Sequence, residues 1–219
     1  MAYISFQPSD FYNTVLYVGN QPADNAITGV GFSPNFVWVK NRDTTTANTL
    51  FNTVQGVGKS LYSNTDGAEV TDAQGMKSFD ADGFTVGNWS QPNTNGDDYV
   101  SWNWKAGTTT GLSGGTITPT AYSISTTSGF GIYQYTGNGT DPATIAHGLG
   151  VAPQMVIVKS LASASWAVGH IGATFNYYGN LDATDAFYDN DGYWSDDAPT
   201  STVFTIGSDG LVNTNAQNY

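Results

Sequence analysis

Ten residues of this chain are written twice. Gly31–Lys40 reads GFSPNFVWVK and Gly150–Lys159 reads GVAPQMVIVK. Each position keeps its chemical class: glycine, apolar, small, proline, amide, four apolar residues, lysine. The echo extends on both sides. Thr14–Lys40 matches Gly131–Lys159, with Tyr17-Val18-Gly19-Asn20 against Tyr135-Thr136-Gly137-Asn138. GFTVG at Gly83–Gly87 matches VFTIG at Val203–Gly207, and NTNGDDY at Asn93–Tyr99 matches NTNAQNY at Asn213–Tyr219. The offset stays at about 118 to 120 residues. A period this long marks a duplicated domain, not a short-period solenoid.

Each copy carries strand signals. NFVWVKN and QMVIVKS are β-rich runs that follow a proline. Phe36–Val39 and Met155–Val158 are apolar on both faces, which predicts a strand covered on both sides and central in its sheet. Lys40 and Lys159 are expected to mark the return to solvent. KSFDADGFTVGN sets two apolar segments around Asp82-Gly83, a hairpin pattern. In YVSWNWKAG, Tyr99, Ser101 and Asn103 alternate with Val100, Trp102 and Trp104, a period of two with one apolar face. No 11-residue window shows a helical stripe. Many short strands with frequent turns predict an all-β chain of two tandem antiparallel β-sandwich domains of jelly-roll type.

The expected organisation is a first sandwich over 1–106, a linker over 107–122 rich in Gly, Thr and Ser, and a second sandwich over 123–219. The copies differ at their ends. The first continues past Tyr99 into VSWNWKAG, whereas the second stops at the matching Tyr219. The second copy is therefore expected to lack its last strand. Either the chain is a piece of a longer one, the preferred reading, or a partner chain supplies the strand.

Composition narrows the function classes. The formal net charge is −12, with six basic residues and 18 acidic ones, of which only Glu69 is a glutamate. Asp favours turns and loops, so the acid is expected at strand ends. Such a chain has no electrostatic footprint for nucleic acid and none for an anionic membrane surface. No segment approaches the ~18 apolar residues that a membrane span needs. The absence of cysteine excludes disulfides and thiolate metal sites.

Five stretches, ISFQPSDFYNTVLYVGN, GVGFSPNFVWVKNRD, TLFNTVQGVGKSLYSN, SFDADGFTVG and DYVSWNWKAG, together resemble a repeat found in structural proteins of tailed phages, especially marine ones. The resemblance covers most of Met1–Gly107 and, more loosely, Gly131–Tyr219. It implies lectin-like (concanavalin-A-like) β-sandwich modules located on a virion, with no catalytic residues.

Three chemistries merit a site. YDNDGYWSDD gathers Asp189, Asp191 and Asp196 near Asp197, and calcium takes six to eight such oxygens. The EF-hand pattern fails, because Phe187 holds its first ligand position and the chelating Glu is missing. Asp-Gly hairpin turns are the preferred reading, with Ca2+ as the alternative. Sugars stack on exposed aromatic faces beside amides and carboxylates, which singles out Trp89, Tyr193 and Trp194 in polar surroundings. Trp38, Trp102 and Trp104 lie in strands and read as core or interface residues. Catalysis has little material. One Glu cannot form the carboxylate pair of a retaining glycosidase. The GLSGG match to a nucleophile elbow, Gly111–Gly115, sits in the expected linker without strand, helix or His partner. His147 and His170 are the only histidines.

The expectation is a non-enzymatic virion structural protein, a capsid decoration, fibre or tail component. It would form a homo-oligomer and bind other capsid or tail proteins. The alternative is a glycan-binding receptor-recognition module of a tail fibre, directed at the host surface.

Overall fold

The computed structural model describes residues 7–219. The chain is all-β, with seventeen short strands among the described residues and only single-turn helices. Among those residues no helix is long and apolar enough to cross a membrane. The packing divides the chain into two compact units. The first comprises Met1–Tyr62 and Val70–Gly107, the second Ser63–Glu69 and Thr108–Tyr219.

In the first unit the strands are β1 (Tyr12–Val18), β2 (Asn25–Thr28), β3 (Phe36–Asn41), β4 (Thr49–Asn52), β5 (Lys59–Tyr62), β6 (Val70–Thr71), β7 (Met76–Asp80), β8 (Gly83–Val86) and β9 (Asp98–Trp104). A helical turn, α1 (Ser90–Asn93), precedes β9. Six strands form one sheet in the order β1-β9-β3-β4-β5-β6, and three form another, β2-β8-β7. Side chains from both sheets share one core. Val37, Val39, Phe51 and Tyr99 come from the larger sheet, and Ile27, Met76, Phe84 and Val86 from the smaller. The predicted hairpin is β7–β8, closed by the Asp80–Gly83 pair. Gly83 has φ +150, and a Cβ there would lie 2.0 Å from the Ile27 carbonyl oxygen, so only glycine fits.

β3 is central in its sheet, as its apolar run predicts. It pairs with β9 on one side and β4 on the other. The alternation of β9 has an unexpected sense. Its polar set, Ser101 and Asn103, is fully buried, and its apolar set, Val100, Trp102 and Trp104, faces outward. The inner polar groups are satisfied locally: Asn103 Nδ2 donates to the Asn13 carbonyl at 3.1 Å and to Ser101 Oγ at 3.0 Å. This removes the usual cost of burying them.

The second unit contains β10 (Ala121–Ser125), β11 (Phe130–Gln134), β12 (Ala143–Ala146), β13 (Met155–Val158), β14 (Ala167–His170), β15 (Tyr177–Asn180), β16 (Tyr188–Asp189) and β17 (Val203–Ile206), with helical turns α2 (Asp191–Trp194) and α3 (Gly210–Asn213). Its sheets run β10-β11, β12-β17 and β13-β14-β15-β16. One cluster of buried side chains, including Ile145, Val156, Val158, Trp194, Phe204, Ile206 and Tyr219, draws on all three.

Two expectations change here. The linker predicted over 107–122 is laid onto the second unit by backbone pairing. Thr108 bridges Ile124, and Gly115 and Ile117 bridge Ile145. Ile117, 7% exposed, enters the core, so one apolar side chain anchors a polar stretch. Lys159, predicted to return to solvent, is 6% exposed. Its ammonium donates to the carbonyls of Ser160 and Ala162 at 2.7 and 3.0 Å and lies 5.9 Å from the centre of the Trp166 ring. Burial lowers its pKa, and the charges of Asp182 and Asp66 oppose that shift.

Candidate functional site

The outward face of β1, β9 and β3 is the largest aromatic surface of the first unit. Strand register builds it in rows. Tyr12 and Phe36 flank Trp104 on either side, with ring centroids 5.0 and 5.4 Å from it. One row further on, Thr14 and Trp38 flank Trp102, and the two indoles meet edge to face at 6.0 Å. Leu16 and Lys40 flank Val100 in the next row, and Val18 and Arg42 flank Asp98 beyond it. Leu16 is 62% exposed and Val18 55%. Arg42 and Asp98 form an open ion pair at 3.9 Å. The strip thus runs from stacked aromatics at one end to a charged pair at the other. Offset and edge-to-face aromatic contacts hold such side chains rigid, which preorganises the surface.

Beneath this face sits a tyrosine clasp. Tyr17 on β1 and Tyr99 on β9 stack with centroids 5.0 Å apart and planes 9° from parallel. Tyr17 Oη donates to the Pro92 carbonyl and Tyr99 Oη to the Ser90 carbonyl. Asn93, fully buried, ties the same corner together. Its Nδ2 donates to the carbonyls of Ala23 and Gly87, and its Oδ1 accepts from Asn20 N. The second unit holds the same set of contacts. Tyr135 and Tyr219 stack at 5.1 Å and 14°. They donate to Val212 and Gly210, and Asn213 donates to Thr140 and Gly207. Burial raises the pKa of Tyr17 and Tyr135 well above the ordinary phenol value, so both remain donors. Sequence comparison of the two copies aligned these tyrosines and asparagines, but did not assign them a role. Their identity in both copies was the available signal.

The residues singled out for sugar stacking lie elsewhere. Trp194 is fully buried and Tyr193 is 5% exposed. Asn190 caps α2 through Gly192 N, and the left-handed Ser195 ends it. That single turn aims both rings inward, Tyr193 onto Tyr178 at 3.4 Å and Trp194 onto Phe175 at 5.8 Å. Trp89 packs between Phe51 and Tyr62 at the edge of the first core. Polar neighbours in sequence misled, because a turn of four residues can bury two of them. Tyr193 and Trp194 offer no face to a sugar.

Asp189, Asp191 and Asp196 are not brought together. Asp191 occupies the first turn of α2, and Asp196 follows it in a left-handed conformation. Among the described residues no group of three His, Cys, Asp or Glu side chains converges as a metal site. The acidic loop does not fit calcium's demand for six or more oxygens. His147 is 1% exposed. Its Nδ1 accepts from Leu149 N at 3.1 Å, which places the ring proton on Nε2, 3.1 Å from the Thr200 carbonyl. Burial lowers its pKa, and the Thr200 bond opposes the shift. This is a structural histidine.

Residues 7–219 match the family model described as Domain of unknown function (DUF7483). No curated protein and no solved structure matches the chain.

Proposed function

The chain belongs to the DUF7483 family of unknown function, and from that premise we propose that it is a non-enzymatic structural component of a phage particle. It acts through its surfaces, as a capsid decoration, a fibre or a tail part. It is built from two tandem β-sandwich modules that arose by internal duplication.

The observation that carries this reading is the aromatic strip of the first unit. Tyr12, Phe36, Trp38, Trp102 and Trp104 lie side by side on the outer face of one sheet, next to exposed Leu16 and Val18. Rigid aromatic and apolar residues ordered in rows are the composition of a protein interface core. The repeated tyrosine clasp supports the duplication, since the same stack and the same carbonyl acceptors recur about 120 residues later. Two modules on one chain present repeated contact surfaces, as symmetric assembly requires.

The decisive experiment counts the protein on purified particles by quantitative mass spectrometry and locates it with a labelled antibody. Many copies over the shell or along a tail support the reading. Absence from particles overturns it. A second reading, recognition of a host glycan, is favoured by one feature. Tyr12 is 38% exposed beside Trp104, an open ring edge on which a sugar could stack. In that case Tyr12→Ala abolishes binding to host polysaccharide and leaves the melting temperature unchanged.

A further inference from the structure

The second unit has a gap where the first has a strand. In the first unit β9 lies between β1 and β3, antiparallel to both. Tyr17 faces Tyr99, and Arg42 N donates to the Asp98 carbonyl. In the second unit the same frame begins. Tyr135 exchanges both backbone hydrogen bonds with Tyr219, and Leu161 N donates to the Asn218 carbonyl. Asn218 and Tyr219 thus sit where β9 starts, and no strand follows them among the described residues.

Both walls of this gap are formed. Groups along an antiparallel strand point alternately to its two sides. Tyr135 bonds Tyr219 on one side, so Tyr133 and Gly131 direct their N–H and C=O groups to that same side. β10 occupies the other side of β11, through Gln134 and its alternates. β13 pairs only with β14, so its other edge opens on the gap. The outward side chains of β13 register the missing neighbour. Met155 is 55% exposed and Ile157 39%. Their counterparts Phe36 and Trp38 are half-buried against Trp104 and Trp102. An apolar strand with an unpaired edge is the kind that recruits another strand.

We propose that this gap between β11 and β13 is a receiving slot for an extended strand donated by another polypeptide chain. The donor runs antiparallel to both walls, in continuation of Asn218–Tyr219. Every strand of the described residues already lies in a sheet, so the donor comes from outside them. Its chemistry follows from Val100–Trp104, the strand that fills the equivalent place. Positions facing inward are small or amide, as Ser101 and Asn103 are, because they bond the carbonyls of the β1 wall. Positions facing outward are β-branched or aromatic, and they cover Met155 and Ile157. Main-chain hydrogen bonds to two edges supply affinity, and the alternating side chains supply specificity. The inference rests on the duplication reading.

The test uses the 219-residue chain and a synthetic peptide of Val100–Lys105. Expected are saturable binding, a melting temperature that climbs with peptide concentration, and slowed amide exchange at Gly131, Tyr133, Met155 and Ile157. A peptide with lysine in place of Ser101 does not bind. A chain extended after Tyr219 by the same six residues melts higher and no longer takes up free peptide. If the extension stabilises but free peptide does not bind, donation by another chain is wrong and the duplication stands. If neither acts, the equivalence of the two units fails as well.

Discussion

Tyr99 lies flat on Tyr17, and its hydroxyl serves three partners at once. It donates to the Ser90 carbonyl at 3.1 Å and lies within hydrogen-bond reach of Thr94 N at 2.9 Å and Asn41 Nδ2 at 3.1 Å, both of which donate to it. One buried phenol therefore joins β3, the start of β9 and the turn after α1. This corner holds the aromatic strip above it in register.

Replacing Tyr99 by Phe keeps the stack and removes the hydroxyl. Two donors and one acceptor then lose their partner in a dry corner. The first unit is expected to lose about 2 kcal/mol, since each orphaned buried group costs on the order of 1–3 kcal/mol. Urea denaturation measures it. A loss indistinguishable from zero would mean that water replaces the hydroxyl and that the clasp is packing alone.

Asn93→Asp is the harsher change. The amide nitrogen donates to two carbonyls, and a carboxylate at that point faces acceptors only. A loss of at least about 3 kcal/mol is expected, or failure to fold. Asn213→Asp is expected to act likewise on the second unit, through Thr140 and Gly207. Equal effects of the two substitutions, read by calorimetry, support duplicated modules. A silent Asn213→Asp argues against them.

Acid is expected to weaken the second unit through His147. Its folded pKa lies below the free value of 6.5, so the unfolded chain takes up the proton first as pH falls. Stability present above about pH 6.5 is therefore lost below it. Protonation also sets Nδ1–H against Leu149 N–H. His147→Asn retains an acceptor for Leu149 and does not titrate. The drop in melting temperature from about pH 7.5 to about 5 is expected to be smaller in that variant. Equal drops would remove His147 as the cause.

Leu16→Lys together with Val18→Lys tests the strip as an interface. Both residues are well exposed, and surface substitutions of this kind change stability by no more than about 0.5 kcal/mol each. The double variant is expected to fold normally and to lose incorporation into particles, measured by competition with the unaltered protein. Undiminished incorporation would place the contact elsewhere.

Much of the architecture could be read from residue order. The duplicated run at Gly31–Lys40 and Gly150–Lys159, the central position of β3 and the β7–β8 hairpin all depend on alternation and turn chemistry, which act between near neighbours. The open place after Tyr219 was visible too, because one copy could be laid against the other. Tertiary structure alone decided which face of a strand is inside. Ser101 and Asn103 go in because β1 offers them carbonyl acceptors, and Trp102 and Trp104 go out to meet Trp38 and Phe36. It also buried Tyr193 and Trp194 in a stretch that reads as polar, enclosed Lys159, and drew residues 108–117 onto the second unit. Burial is set by what lies across from a side chain, and those partners are tens of residues away in the chain.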